Sequence, residues 1–144
     1  MAGDSAPDTH TPLIIGLLGA VGVIGLTVLP AVVAEGPGTD QLTLYYSFGI
    51  GGLWIVAIIA TALVIVFLAS LTGRTDATLA ASAANGGGFI MMLAAVSWFL
   101  DVDDAIHTQL TTADWFAYHP ELVVIASAIV PLCGLWLAYR LGYL

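Results

Sequence analysis

The sequence predicts an all-α membrane protein with four transmembrane helices in an up-and-down bundle. Two observations carry this fold class: 60% of the 144 residues are hydrophobic and only 8% are charged, and the mean hydropathy is +1.02. An ordinary globular domain carries roughly 25% charged residues. The only basic residues are Arg74 and Arg140, which excludes a nucleic-acid binder because phosphate contacts need many basic groups.

Four apolar stretches are long enough to cross a bilayer, which takes about 20 helical residues at a rise of about 1.5 Å each. None has Asp, Arg or His in its middle, so each is expected to be a continuous helix with its backbone bonded internally. The predicted spans are residues 12–34, 48–71, 78–100 and 118–139. Around them we expect an acidic tail (1–11), an outer loop (35–47), an inner loop (72–77), an acidic outer loop (101–117) and a C-terminal tail (140–144).

The first stretch has a competing interpretation as a cleaved signal peptide, with Val32 and Ala34 at a small-residue cleavage site. The leader, however, has Asp4 and Asp8 and no basic residue. The apolar run is also longer than a signal core of roughly 7–15 residues. We therefore expect an uncleaved helix.

Orientation follows from the two arginines, because Arg and Lys in short loops stay on the cytoplasmic side. Arg74 lies between the second and third spans and Arg140 follows the fourth. With four spans, both positions share a side with the N-terminus. The sequence thus predicts a multi-pass cell-membrane protein with both termini cytoplasmic and the lipid bilayer as its main partner.

Most aromatic residues stand at the ends of the spans, where Trp and Tyr usually lie at headgroup level. We expect them to anchor the helices there, with an aromatic ligand cage as the alternative. The predicted outer anchors are Tyr45, Tyr46, Phe48, Trp54, Trp98, Phe99, Trp115, Phe116 and Tyr118, and the inner ones are Trp136, Tyr139 and Tyr143.

Small residues predict where helices approach each other closely, as membrane helices require. The third span has Ala80, Ala84 and Gly88 at four-residue spacing, beside Ser82 and Gly86. The first span has glycines every three residues, which drift around a helix of 3.6 residues per turn. We therefore expect the first span to make contacts on more than one face and to be the most enclosed of the four; its glycines are Gly16, Gly19, Gly22 and Gly25.

Two prolines interrupt backbone hydrogen bonding inside the spans. Pro30 cannot donate to the carbonyl of Leu26, and Pro131 cannot donate to that of Ser127, so each is expected to bend its helix. Pro131 is interpreted as structural, with a hinge or the wall of a small cavity as the alternative.

The run Asn85, Gly86, Gly87 and Gly88 is unusual inside a span, because Gly costs about 1 kcal/mol relative to Ala in a helix. One hypothesis is close packing, with the Asn85 amide bonded across to Thr61 or Thr27. The other is an unwound helix whose free carbonyls meet a substrate or ion, as in interrupted helices of transporters. We find no internal repeat to favour the second hypothesis.

The loop 101–117 holds the only candidate metal ligands. If residues 103–110 form a short helix, both Asp103 and Asp104 can approach His107, and such ligands suit Mn or Zn. His119 and Glu121 are expected to lie near them across the loop. The competing hypothesis is an acidic, solvated loop, with Pro120 and Glu121 simply starting the fourth helix.

The residues that are missing exclude several activities. Without Lys there is no Schiff base and no P-loop, and the spans do not offer two His that could hold a haem between them. Cys133 is the single cysteine, and no carboxylate lies at mid-membrane, as a coupled pump would need. We therefore expect no enzyme activity and no cofactor. The favoured function is an accessory or structural membrane protein that binds other membrane proteins, or itself, through small-residue helix faces. The alternative is a small oligomeric transporter or channel with residues 85–88 lining its path.

The acidic bias, with ten acidic residues against two basic, is typical of proteins that work at high salt. Further features are the Asp-rich leader, Leu29-Pro30-Ala31, Glu35-Gly36-Pro37-Gly38, Tyr45-Tyr46 and Tyr118-His119-Pro120. With these features and its acidic bias, the chain resembles small uncharacterised four-helix membrane proteins of halophilic archaea. The resemblance implies a location and an architecture rather than an activity.

Overall fold

The computed structural model describes residues 8–35 and 39–144, and within these ranges every regular element is helical. The helices are α1 (His10–Val33), α2 (Thr39–Ser47), α3 (Gly52–Leu71), α4 (Ala77–Asp101), α5 (Asp104–Leu110) and α6 (His119–Arg140), with a 3-10 helix at Asp114–Tyr118. The first seven residues of the acidic leader and Gly36, Pro37 and Gly38 lie outside the described residues.

Four helices are long and apolar enough to cross a membrane: α1, α3, α4 and the segment that contains α6. This confirms the four predicted helices by length and composition. They form a ring in which α1 and α4 each pack against both α3 and α6. The prediction that α1 is the most enclosed helix is wrong, because 39% of the most apolar window is buried in both α1 and the α6 segment.

The glycines of α1 face in two directions, as their spacing predicts. A Cβ on Gly16 would lie 2.7 Å from the ring of Phe67 in α3, and one on Gly19 would lie 2.9 Å from Ile129 in α6. These two glycines therefore let α1 approach both neighbours. Gly22 and Gly25 have nothing within 4 Å of that position.

The contact between α4 and α6 is the most extensive in the bundle and uses the predicted row Ala80, Ala84 and Gly88, all buried. A Cβ on Gly88 would lie 2.9 Å from Val130 Cγ1 and 3.1 Å from the backbone nitrogen of Pro131. From the other side, a Cβ on Gly134 would lie 2.9 Å from the Cβ of Ala84. Pro131 is thus a packing residue against Gly88, and α6 continues through it as one helix.

The second predicted row on α4 faces outwards instead. Ser82 and Gly86 are exposed, and a Cβ on Gly86 would meet nothing within 4 Å. Gly87 makes only an ordinary contact, 3.5 Å from Leu63 Cδ2. Since α4 is continuous from Ala77 to Asp101, the hypothesis that it unwinds at residues 85–88 is wrong.

Helix α2 was not expected, because the sequence predicts residues 35–47 as a loop. This short helix buries Tyr45 and Tyr46 and then turns sharply into α3 through Gly49, Gly51 and Gly52. The φ angles of these glycines are +72°, +75° and +67°, a region that only Gly adopts readily. A Cβ on Gly49 would also lie 2.6 Å from the Trp98 backbone.

We expect Gly88→Ala to destabilise the bundle by about 1–3 kcal/mol, because the added methyl overpacks a close helix contact. Gly86→Ala is the matched control: it adds the same methyl to α4 where nothing lies within 4 Å, so helix propensity alone acts and stability is equal or higher. Unfolding in mixed micelles measures both. Equal stability of the two variants would contradict the assignment of Gly88 to the interface.

Candidate functional site

Five buried aromatic and imidazole side chains meet at the end of the bundle where α1 and α4 finish. We call this the aromatic-imidazole cluster: Tyr45, Trp98, His107, Phe116 and His119. They come from α2, α4, α5, the 3-10 helix and α6. The cluster therefore joins five elements at this end of the molecule.

His119 is fully buried, and both of its ring nitrogens have partners. Nε2 lies 2.7 Å from the carbonyl oxygen of Leu26, and Nδ1 lies 2.7 Å from the hydroxyl of Tyr45. A carbonyl can only accept, so Nε2 carries the proton and donates to Leu26. In the neutral ring Nδ1 is then the acceptor, and the Tyr45 hydroxyl donates to it.

Pro30 explains why the carbonyl of Leu26 is free. In a regular helix it would accept from the amide of the residue four positions later, but that residue is Pro30, which has no N–H. His119 supplies the missing donor from the first residue of α6. A proline in one helix and a histidine in another thus form one structural unit.

Two further hydrogen bonds attach α2 to the bundle. The indole Nε1 of Trp98 donates to the backbone carbonyl of Tyr45 at 2.9 Å, and the hydroxyl of Tyr46 donates to the carbonyl of Thr27. Burial raises the pKa of the Tyr45 hydroxyl above its ordinary value, so the hydroxyl keeps its proton and acts as a donor.

Ring packing completes the cluster. Phe116 stacks on His119 with centroids 5.0 Å apart, and Tyr45 meets Trp98 edge-on with centroids 5.1 Å apart. For Tyr45, Tyr46, Trp98 and Phe116 the prediction of a headgroup anchor is therefore wrong, because these side chains are buried. Of the remaining predicted anchors, Trp54, Trp115, Tyr118, Tyr139 and Tyr143 are exposed, and Phe48, Phe99 and Trp136 are half-buried.

The candidate metal ligands Asp103, Asp104 and His107 serve separate roles in the structure. Asp103 caps α5 by accepting from the amide of Ala105 at 2.9 Å, Asp104 is exposed, and His107 is buried. Among residues 8–35 and 39–144 no group of three His, Cys, Asp or Glu is placed to hold a metal ion. Metal binding at these residues stays a prediction.

His107 has a polar atom without a partner. Its Nε2 is buried and makes no hydrogen bond, and the ring lies edge-on to Tyr45 and Phe116. Burial lowers the pKa of this imidazole and outweighs the opposite effect of Asp104, Glu121 and Asp103. The same residue lines an open cleft of about 370 Å³ together with Thr108, Thr111, Thr112, Ala113, Asp114 and Ala117.

Asn85 does not form the cross-helix hydrogen bond that the sequence analysis proposes. The hydroxyls of Thr27 and Thr61 donate instead to carbonyls of their own helices, those of Ile24 and Ala57. Asn85 lies against Gly134 of α6, whose added Cβ would be 2.9 Å from Asn85 Oδ1. Its side chain also lines a second cleft, at the opposite end of the bundle from the cluster.

The cluster was missed by the sequence analysis, although one signal for it exists. Pro30 inside an apolar helix indicates that the carbonyl of Leu26 has no donor within its own helix. In apolar surroundings such a carbonyl needs a hydrogen-bond donor from another part of the chain. His119 stands at the predicted start of a span and is such a donor. The sequence does not reveal which residue among several polar candidates reaches that carbonyl.

The unit formed by Pro30 and His119 can be tested with a double-mutant cycle. We expect His119→Phe to cost about 2–4 kcal/mol of unfolding free energy, because the carbonyl of Leu26 and the hydroxyl of Tyr45 lose their partner. In a Pro30→Ala background the cost should fall by about 1 kcal/mol, since the amide of residue 30 then donates to Leu26. Pro131→Ala is the control background, in which the cost of His119→Phe should not change. If the effects of Pro30→Ala and His119→Phe on the unfolding free energy simply add, Pro30 and His119 do not form one structural unit.

The pH dependence of stability tests the burial of His107. The folded protein holds this imidazole with a lowered pKa, whereas the unfolded chain has a pKa of about 6.5. The neutral ring therefore stabilises fully above pH of about 6.5, and this contribution is lost as the pH falls towards the lowered folded value. We expect His107→Leu to flatten the dependence of the thermal unfolding midpoint on pH across that window, and an unchanged dependence in this variant would contradict the burial of His107.

Comparison with known proteins gives one family match, which covers nearly the whole chain. The match is to a family of unknown function, DUF7548, over residues 7–142. No curated protein and no solved structure matches the chain. Because the match spans all the helices, the chain belongs to the family DUF7548.

Proposed function

We propose that the chain is a multi-pass protein of the cell membrane, with both termini cytoplasmic, that serves as an accessory or structural partner of other membrane proteins or of itself. The coarse part of this proposal rests on four helices of sufficient length and apolarity. The specific part depends on where the glycines of these helices face.

The observation that carries the proposal is a set of outward-facing glycines. A glycine inside a helix costs about 1 kcal/mol relative to Ala, and a close helix contact offsets this cost. Gly16, Gly19 and Gly88 have such contacts within the chain, whereas Gly22, Gly25 and Gly86 have nothing within 4 Å. Contacts with another protein would offset the cost at these three positions.

The outward glycines lie on two different faces. Gly22 and Gly25 belong to α1, and Gly86, beside exposed Ser82, belongs to α4. Helices α1 and α4 occupy opposite corners of the ring, since each packs against both α3 and α6. Two smooth faces on opposite sides suit a protein that sits between two partners in the plane of the membrane.

The aromatic-imidazole cluster supports a structural role over a catalytic one. Both nitrogens of His119 and the hydroxyl of Tyr45 are used in hydrogen bonds inside the chain. A general acid or base must instead reach a substrate with a free nitrogen or oxygen. We therefore propose a structural role without a cofactor for His119 and Tyr45; His107, whose Nε2 has no partner, is not covered by this argument.

Transport by an oligomer is the second candidate, and the position of Asn85 favours it. This amide lines a cleft on the outside of the ring, so a polar path would need several copies with α4 turned towards a common axis. A path through a single copy is disfavoured, because Val130 and Pro131 pack directly against Gly88 and Leu63 lies beside Gly87.

The excess of acidic residues supports a source that grows at high salt. Seven of them, and no basic residue, stand in the sequence between α1 and α3 or from the end of α4 to the start of α6: Glu35, Asp40, Asp101, Asp103, Asp104, Asp114 and Glu121. Like charges so close together repel unless salt screens them. A rise of the thermal midpoint with added KCl tests this proposal.

Association through α4 can be measured on protein extracted from its own membranes in mild detergent. We expect the wild type to migrate as a complex larger than the monomer, and Gly86→Leu to shift most of it to the monomer, because the side chain fills the smooth face. Ala62→Leu is the matched control, since residue 62 is an exposed position of α3, and it should leave the complex intact.

A monomeric wild type, or a Gly86→Leu variant that keeps the complex, would overturn the proposed association. A symmetric homo-oligomer with α4 around a hydrated axis would replace the accessory role with the transport alternative.

A further inference from the structure

The cleft beside Asn85 lies at the end of the bundle that carries the two arginines. It has a volume of about 270 Å³ and lies between the first turns of α4 and the end of α6. Its lining consists of Thr78, Ala81, Ser82, Asn85, Ala138 and Tyr143. On α4, Ala81 and Ser82 lie three and four residues after Thr78 and four and three residues before Asn85, so the four positions share one face of the helix.

The polar groups of this cleft have unused hydrogen-bonding capacity. Elsewhere in the long helices, the hydroxyls of Thr27, Thr61 and Ser127 each donate to a carbonyl about one turn earlier. Within the part of the chain that the structure describes, neither the hydroxyl of Ser82 nor the amide of Asn85 makes a hydrogen bond, and Thr78 has only a long contact of 3.4 Å with the Tyr143 hydroxyl. In apolar surroundings such groups are costly without a partner.

The chemistry of the lining selects the kind of partner. It offers hydroxyls, one carboxamide and one aromatic ring, and it includes no charged side chain. A carboxamide both donates and accepts, as a hydroxyl does, so these groups pair best with neutral hydroxyls. A phosphate or an ammonium group would find no opposite charge in this cleft. The complementary ligand is therefore a neutral group with several hydroxyls.

The position of the cleft indicates where that ligand comes from. Thr78 is the second residue of α4 and Tyr143 follows the end of α6, so the mouth lies where the predicted spans meet the headgroup layer. Asn85 lies seven residues further along α4, which is about 10.5 Å at about 1.5 Å per residue. Beyond it, Phe89 is exposed on α4, where an acyl chain can lie.

We propose that this cleft binds a membrane lipid through a polyhydroxyl headgroup, such as a glycerol or a hexose, with a lipid chain beside Phe89, next to the face at Gly86 that the proposed function assigns to a protein partner. This headgroup lies deeper in the bilayer than the headgroups of the surrounding lipids, and hydrogen bonds to Ser82 and Asn85 offset its loss of hydration. This inference rests on the proposed membrane location. A second copy of the chain fits less well, because the cleft is a concave site that offers hydrogen bonds rather than a flat apolar face.

The test is native mass spectrometry of protein released from phosphatidylcholine nanodiscs that contain a minor fraction of monoglucosyl-diacylglycerol, a neutral lipid with a hexose headgroup. We expect the glucosyl lipid to remain bound in preference to phosphatidylcholine. Ser82→Ala and Asn85→Leu should each lower the retained fraction several-fold, and together about tenfold or more, because each removes hydrogen bonds worth about 1 kcal/mol. Ser82 is exposed, so its variant keeps the fold.

Thr61→Ala is the matched control: this hydroxyl is also exposed within a long helix, but it is bonded to its own helix, and retention should not change. Equal retention of phosphatidylcholine, or unchanged retention in both cleft variants, would overturn the proposal. Binding of free glucose or glycerol as tightly as the lipid would overturn the lipid source, and a dimer that excludes lipid would assign the cleft to a second copy. Extraction of the protein by alkaline carbonate would instead refute the membrane location itself.

Discussion

A single unpaired carbonyl, that of Leu26, determines how one end of this protein is built. Pro30 removes its usual donor, and an apolar bundle offers no water to replace it. The imidazole of His119 fills the gap, which holds the start of α6 against α1. Once the imidazole is fixed there, Nδ1 fixes the hydroxyl of Tyr45, and the carbonyl of Tyr45 receives the indole of Trp98. The order of this end thus follows from one missing N–H.

The long helices could be predicted from the sequence because each is a continuous apolar run, and no alternative structure satisfies its backbone as well. The close face of α4 was equally accessible, since Ala80, Ala84 and Gly88 follow the helical period. Helix α2 escaped prediction because it is short and its buried side consists of two adjacent tyrosines rather than a periodic row. The cluster escaped because its hydrogen bonds join residues 74 and 93 positions apart, and local patterns carry no information on such pairings.

The two ends of the bundle differ in how they treat polar groups. At the cluster end the hydrogen-bonding atoms of Tyr45, Trp98 and His119 are paired with one another or with backbone, and Nε2 of His107 has no partner. At the opposite end Ser82 and Asn85 remain open towards the outside. The glycines divide by face rather than by end, since Gly88 and Gly134 pack against neighbouring helices whereas Gly22 and Gly86 have nothing within 4 Å. The molecule therefore combines a closely packed interior with selected open surfaces.

The partners of His119 lie far before it in the sequence, and this separation determines when their hydrogen bonds can form during synthesis. Leu26 and Tyr45 leave the ribosome long before residue 119, and chains emerge at roughly 5–20 residues per second. For several seconds, α1 therefore carries a bare carbonyl and α2 has no imidazole to bond. During that interval the hydrogen bonds of His119 to Leu26 and Tyr45 are absent. This end of the bundle therefore takes its final form only after the last long helix has been made.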